Sequence, residues 1–323
     1  MSFNRLDPSD FIVSSDAISA TLWSTQSPTL TAFYTSSAQI AGASGQYYWN
    51  VYQTASTEPE AEIQFAVAYG NENGSGSLAY NSAVLQNSPS STIYGQWQDL
   101  VIGDENTGFA FSGSTQSTAF LAITFERARY KEALLPGSLL LKIGSNNYTD
   151  NSSVVSSVQF TEAGRVFNIV KTGSLDGTSY GWLLPDIGTI LLDCNDGVSG
   201  GVINDFAAWG GNASPTAPPN PSPMESLIEA ISLFKINSQE NITSDYIFVR
   251  ARSSEFNYSE NPSFISGSTG EVLYNSFINN PQTYITTVGL YNDVSELLAV
   301  AKLSRPLPKD FTSEALVRIK LDF

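Results

Sequence analysis

Histidine is absent from all 323 residues, and cysteine occurs once, as Cys194. Without histidine there is no Ser-His-Asp or Cys-His catalytic pair and no His-containing zinc site. A single cysteine cannot form an intrachain disulfide, which excludes a disulfide-stapled secreted scaffold. Basic residues are scarce too: 15 Lys and Arg stand against 31 Asp and Glu, a formal net charge of −16. Phosphate binding needs a basic face, so nucleic acid is not an expected partner, and an anionic membrane surface is excluded on the same ground. No stretch approaches the roughly 20 apolar residues of a membrane span. The opening MSFNRLDPSDFIVSS lacks the apolar core of a signal peptide, so synthesis and folding in a cytoplasm are expected.

Complete catalytic signatures are missing as well. There is no Walker A loop and no G-x-G-x-x-G after a strand; Gly177–Gly181 and Gly197–Gly201 match G-x-S-x-G and Ser232–Lys235 matches S-x-x-K, but no histidine exists to activate a serine in the usual way. Acids at turns (Asp104, Glu105, Asp186, Asp193 and Asp196) are the only candidates for paired-carboxylate chemistry on glycosides. Turn acids are more often caps and turn formers, so no catalytic residue is assigned and the chain is read as non-enzymatic. Asp193-Cys194-Asn195-Asp196-Gly197 echoes a calcium loop but lacks the alternating ligands and the distal glutamate, and reads as an Asx-rich turn. No cofactor or metal is implied.

What is present points to β structure. Apolar residues make up 41 %, enough to build cores, and Ser, Thr, Asn, Gly and aromatics are plentiful. Ile63–Tyr69 and Phe120–Arg127 alternate with period two, and Ala17–Trp23, Gln46–Gln53, Ser138–Ile143, Arg165–Val170 and Trp182–Leu192 read as further strands. Ser91–Gly103, with Tyr94, Trp97 and Leu100, is expected as another strand. Ala128–Leu135 reads as one helical turn, and Met224–Leu233 as a helix with Glu225 and Glu229 on its solvated face. Phe234–Ser238 and Ile242–Arg252 read as a hairpin around Gln239-Glu240-Asn241. The predicted fold is mainly β, antiparallel sandwich or barrel-like sheets with one or two short helices. Five prolines in Gly210–Pro223 suggest a boundary: residues 1–205 form an N-terminal β domain, 206–223 a linker or loop, and 224–323 a C-terminal helix plus β-hairpin domain.

Near the end, Tyr284–Tyr291 and Glu296–Leu303 flank the turn pair Asn292-Asp293. A final run places Val317, Ile319 and Leu321 on one side and Arg318, Lys320 and Asp322 on the other. This segment, YITTVGLYND followed by LLAVAKLSRPL, resembles structural proteins of tailed bacteriophages, most nearly virion proteins of T4-like marine myoviruses. ERARYKEALLPGSLLL (Glu126–Leu141), YGWLLPDIGTILL (Tyr180–Leu192) and EFNYSENPSFISGSTG (Glu255–Gly270) extend the resemblance along most of the chain. It implies a structural role in the tail–baseplate or neck region of a virion, after synthesis in the host cytoplasm. The partners it implies are other virion proteins and copies of the same chain, with neither nucleic acid nor membrane. A receptor- or glycan-binding fibre component and a capsid-decorating head protein are the alternatives.

Candidate interface residues follow from chemistry. Arg127, Arg129, Tyr130 and Lys131 are the densest basic patch of an acidic protein; the two readings are a docking patch and an internal salt-bridge set with Glu126 and Glu132. Tyr284 and Tyr291 end a β-rich run and suit an interface. Aromatics at Tyr47-Tyr48-Trp49, Tyr52, Tyr94, Trp97, Phe256 and Tyr258 read as core or interface in preference to a sugar platform.

Overall fold

A computed structural model describes residues 4–41, 47–74, 89–175, 177–194, 221–258 and 262–322. The protein is mainly β, 47 % strand and 13 % helix, as its composition implies. Four helices occur among the described residues where one or two were expected: Ser37–Ala41, Ser90–Ile102, Pro221–Ala230 and Asn275–Asn279. The chain divides into two units, the smaller from Met1–Asp16 with Asn241–Phe323 and the larger from Ala17–Glu240. The Pro-rich stretch lies largely outside the described residues. The helix that follows it and strand Ile231–Lys235 belong to the larger unit.

The larger unit is built on a curled ten-stranded antiparallel sheet. From one edge it runs Ile231–Lys235, Leu140–Ile143, Asn146–Asp150, Gly164–Lys171, Gly181–Leu184, Thr189–Asp193, Ala119–Phe125, Ile63–Asn71 and Trp49–Tyr52, with Gln159–Thr161 paired to Gly164–Lys171. Its central strands are buried on both faces, which is why Ala119–Phe125 reads AFLAITF with almost no polar residue. Leu121, Ile123 and Phe125 face a core centred on Trp23, Phe65 and Phe234, whose rings meet edge-on or tilted at 5.3–6.4 Å. Phe120 and Ala122 face a second core with Tyr94, Phe109, Phe111 and Leu191.

That second core is covered by helix Ser90–Ile102, where a strand was expected. Ile93, Tyr94, Trp97, Gln98 and Val101 recur at helical spacing and form the buried or half-buried side. Gly103, at φ 75°, stops the helix, its N–H bonding the carbonyls of Gln98 and Asp99. The helix after the Pro-rich stretch spans Pro221–Ala230; Met224, Leu227 and Ile228 are buried, while Glu225 and Glu229 are exposed as read.

Two further expectations are corrected. Strand Ala119–Phe125 ends before the basic patch, and Arg127–Arg129 is a 3-10 turn, so the alternate basic residues do not line one strand face. The hairpin expected around Gln239-Glu240-Asn241 is instead one uninterrupted strand, Asn237–Ala251. Ser238 and Gln239 are already paired to Leu134 and Ala133, so the chain gains ladder bonds by running straight through these turn-type residues.

In the smaller unit, Ser244–Ala251 pairs antiparallel with Ala315–Asp322 in unbroken register, Val249 opposite Val317 and Ile247 opposite Ile319. Strand Phe11–Thr21 lies on the other side of Asn237–Ala251 in the same sheet. The division between the units falls inside both of these long strands. A separate two-stranded ribbon, Gln282–Tyr291 with Leu297–Asp310, is the hairpin expected from Asn292-Asp293. Asn292 closes it: its side-chain carbonyl accepts the N–H groups of Val294 and Glu296, and its own N–H donates to the Glu296 carbonyl. Val288, Leu290, Ala301, Leu303 and Leu307 pack with Leu6, Ile247, Val317, Ile319 and Leu321 to make the unit's core.

Candidate interaction surface

That core is thin. Only Ile247, Val317 and Ile319 in it are buried, and the rest are partly so. The same unit carries sixteen of the twenty-three exposed large hydrophobic side chains among the described residues, although it holds fewer than a third of the chain's residues. Exposed apolar side chains at this density make the unit the candidate contact surface. Phe11, Ile12 and Val13 stand exposed in a row at the start of an edge strand. On the ribbon, Tyr284 (61 %), Leu298 (68 %), Val300 (58 %) and Val294 (73 %) are exposed, with Tyr291 and Leu297 beside them. Gly289 lies beneath Tyr291 and Leu297, whose side chains come within 2.9 and 3.4 Å of where its Cβ would stand. Tyr284 and Tyr291, expected at an interface, are therefore both on the open surface of the ribbon.

A polar anchor that sequence reading missed holds the ribbon's base. Lys309 is wholly buried, and its Nζ donates to the Ser253 carbonyl (3.0 Å), Asn257 Oδ1 (2.9 Å) and the Asp310 carbonyl (2.8 Å). Three donors meet three acceptors, so the buried cation is satisfied without a carboxylate in contact. Asn257 also donates to the Ser253 carbonyl at 2.6 Å, and the Thr283 hydroxyl donates to the Phe256 carbonyl at 2.6 Å. These bonds fix the turn after strand Asn237–Ala251 to the ribbon. Glu255 joins the N-terminal residues to the same turn, accepting from Asn4 Nδ2 and the Arg252 N–H, both at 2.9 Å. The Arg252 bond first and the Asn4 bond second hold its carboxyl below the usual range.

Asp310 then turns the chain into the last strand. It accepts from the Ser313 and Thr312 hydroxyls, both at 2.8 Å, and from the Thr312 N–H at 2.9 Å. Led by the Ser313 bond, these contacts lower its pKa from 3.8 to about 2. A depressed folded-state pKa contributes stability that is complete above 3.8 and lost as pH falls through about 2. Asp310→Asn is therefore expected to lower the urea midpoint followed by circular dichroism at about pH 5, and the gap from the parent protein to close as pH approaches 2. A gap independent of pH would show that the carboxylate's charge is not what the turn uses.

The basic patch is spent locally. The Arg127 guanidinium lies 4.6 Å from the Tyr130 ring centre and donates to the Tyr130 carbonyl at 2.7 Å. Arg129 pairs with Glu62 and donates to the Ile63 carbonyl. Tyr130 is buried, and burial raises its pKa against the opposing pull of Arg127. Arg127 and Lys131 are exposed, Arg129 half-buried.

Three of the turn acids, Asp104, Asp186 and Asp193, are likewise engaged. Asp104 binds Thr107 and Asn106, and those bonds, Thr107's first, lower its pKa. Asp186 holds Arg165; burial opposes its ionisation, but the Arg165 bonds outweigh burial and its pKa falls. Asp193 is buried and accepts from the Ser117 hydroxyl. Asn195, Asp196 and Gly197 of the calcium-like loop lie outside the described residues. Among the described residues no three His, Cys, Asp or Glu side chains cluster as a metal site would need. Trp49 and Tyr94 are core, whereas Phe256 and Tyr258 are exposed on the smaller unit.

The larger unit also carries an open polar cleft of about 470 Å³ beside helix Ser90–Ile102, lined by Glu72, Ser91, Gln98, Glu105, Asn106 and Gln116 among others. Among the described residues no helix is long and apolar enough to cross a membrane. Comparison with protein-family models, with curated proteins and with solved structures finds no match.

Proposed function

We propose that this chain is a non-enzymatic structural protein of a contractile-tailed phage virion, placed in the tail–baseplate or neck region. It joins copies of itself and neighbouring virion proteins through the sheets of its smaller unit. The observation that carries the reading is the imbalance there: an apolar core with three buried residues against sixteen exposed large apolar side chains. Such a surface is costly to leave in water, and burying it in an assembly recovers roughly 25 cal/mol per Å². The resemblance of the ribbon's sequence to phage structural proteins supplies the setting. The test is location: gold-labelled antibody against the smaller unit, applied to intact and disrupted particles. Label at the tail end or neck is expected. Label over the head would make the protein a capsid decoration, and no label in any state would overturn the reading.

The amide-rich cleft favours a second reading, a glycan-binding fibre component, since amide and carboxylate side chains suit the hydroxyls of a neutral sugar. Label along the fibres would select it.

A further inference from the structure

We propose that the outer edge of strand Gln282–Tyr291 pairs with the same strand of a second copy, antiparallel and about a two-fold axis near Thr286-Thr287. This rests on the assembly reading and names the contact between copies. Gln282–Tyr291 has one strand neighbour, Leu297–Asp310, so its other backbone edge meets no strand among the described residues. A two-stranded ribbon is marginal by itself; pairing two of them gives a four-stranded sheet.

Two of the unit's other edges are guarded, whereas edge strand Phe11–Thr21 carries the single charge Asp16 and Gln282–Tyr291 carries none. Leu297–Asp310 carries Lys302, Arg305, Pro306 and Pro308, and Ala315–Asp322 carries Arg318, Lys320 and Asp322. Charges and prolines are how exposed edges are kept from pairing. Gln282–Tyr291 reads QTYITTVGLY: ten residues, β-rich, without one charge or one proline.

Electrostatics select the occupant. Each copy carries a net charge of −16, so most approaches between copies bring acidic surfaces together. Along Gln282–Tyr291 no like charges would stand opposite each other when a copy meets its own kind. Antiparallel pairing about a two-fold is self-complementary, closes after two copies, and keeps the ribbon's open face with Tyr284 and Tyr291 continuous across the junction.

The experiment uses the full chain and two double variants, Thr286→Lys with Thr287→Lys, and Thr286→Glu with Thr287→Glu. Both threonines are exposed, and unchanged circular dichroism checks that each variant folds. By analytical ultracentrifugation the parent chain is expected to self-associate. Each variant alone should associate roughly tenfold more weakly or worse, and their equimolar mixture should recover parental association. Recovery on mixing requires the altered strands to face each other. Parental association in either variant alone, no recovery in the mixture, or a parent chain monomeric at all concentrations would each overturn the strand pairing. Particle labelling is independent: a tail or neck location with any of those results leaves the virion reading standing and removes only this contact.

Discussion

Lys309→Met is expected to destabilise the smaller unit by about 2–4 kcal/mol while leaving the larger unit nearly untouched. Methionine fills much of the same volume, so the loss is not a cavity. What disappears is the donor: Asn257 Oδ1 and the Asp310 carbonyl lose the Nζ bonds of 2.9 and 2.8 Å, while the Ser253 carbonyl keeps Asn257. An unpaired acceptor in a dry site costs about 1–3 kcal/mol, and escape from burying the ammonium returns part of the two losses. The two units can be followed separately, because all five tryptophans fall between Ala17 and Glu240. The variant should show faster proteolysis within residues 241–323 and unchanged tryptophan emission. Parental proteolysis rates would mean that the turn around Asn257 is held by packing alone.

Gly181→Ala should do the reverse, and more severely. Gly181 sits at φ 153° opposite Leu192 in the middle of the large sheet. A Cβ there would come 2.0 Å from the Leu191 carbonyl oxygen and 3.0 Å from the Leu192 Cα. Both are backbone atoms of a strand paired on its far side to Ala119–Phe125, so neither can yield without opening the ladder. A penalty of about 3–5 kcal/mol is expected. Trp182 adjoins the site and packs against Phe109 and Phe111, so its emission should report the change. A variant with the parental melting midpoint would mean that the Gly181–Leu192 pair relaxes freely.

What could be read from the chain was what local pattern controls. Ile63–Asn71, Ala119–Phe125, the ribbon and Ala315–Asp322 are strands because their apolar residues alternate or run unbroken. Ser90–Ile102 is a helix whose Tyr94, Trp97 and Leu100 favour strands; its helical stripe passes through Gln98, whose buried amide is satisfied by the Thr107 carbonyl at 2.8 Å. Asn237–Ala251 was split at polar residues whose pairing partners, Ala133 and Leu134, lie a hundred residues away in sequence. The joint exposure of Tyr284 and Tyr291 was not legible: seven residues apart, alternation would put them on opposite faces, and the register shift between Ile285 and Thr287 turns both outward. Nor was Lys309, because its three acceptors converge only once the turn at Ser253–Asn257 folds back. For Arg127 and Arg129 the sequence suggests Glu126 and Glu132 as ion-pair partners, but the fold supplies others: Arg129 pairs with Glu62, 67 residues away, and Arg127 lies over Tyr130.

The long strand Asn237–Ala251 imposes an order on biosynthesis. A ribosome delivers the chain from its N-terminus, and domains fold as they emerge. Every strand of the large sheet has been made once Lys235 is out. Asn4, by contrast, waits for acceptors 246 and 251 residues later, and Ile247 and Val249 stay uncovered until Val317 and Ile319 arrive. The smaller unit is thus the last part to take shape, and until it does Phe11–Val13, Ile247 and Val249 lie open to unfinished chains on neighbouring ribosomes.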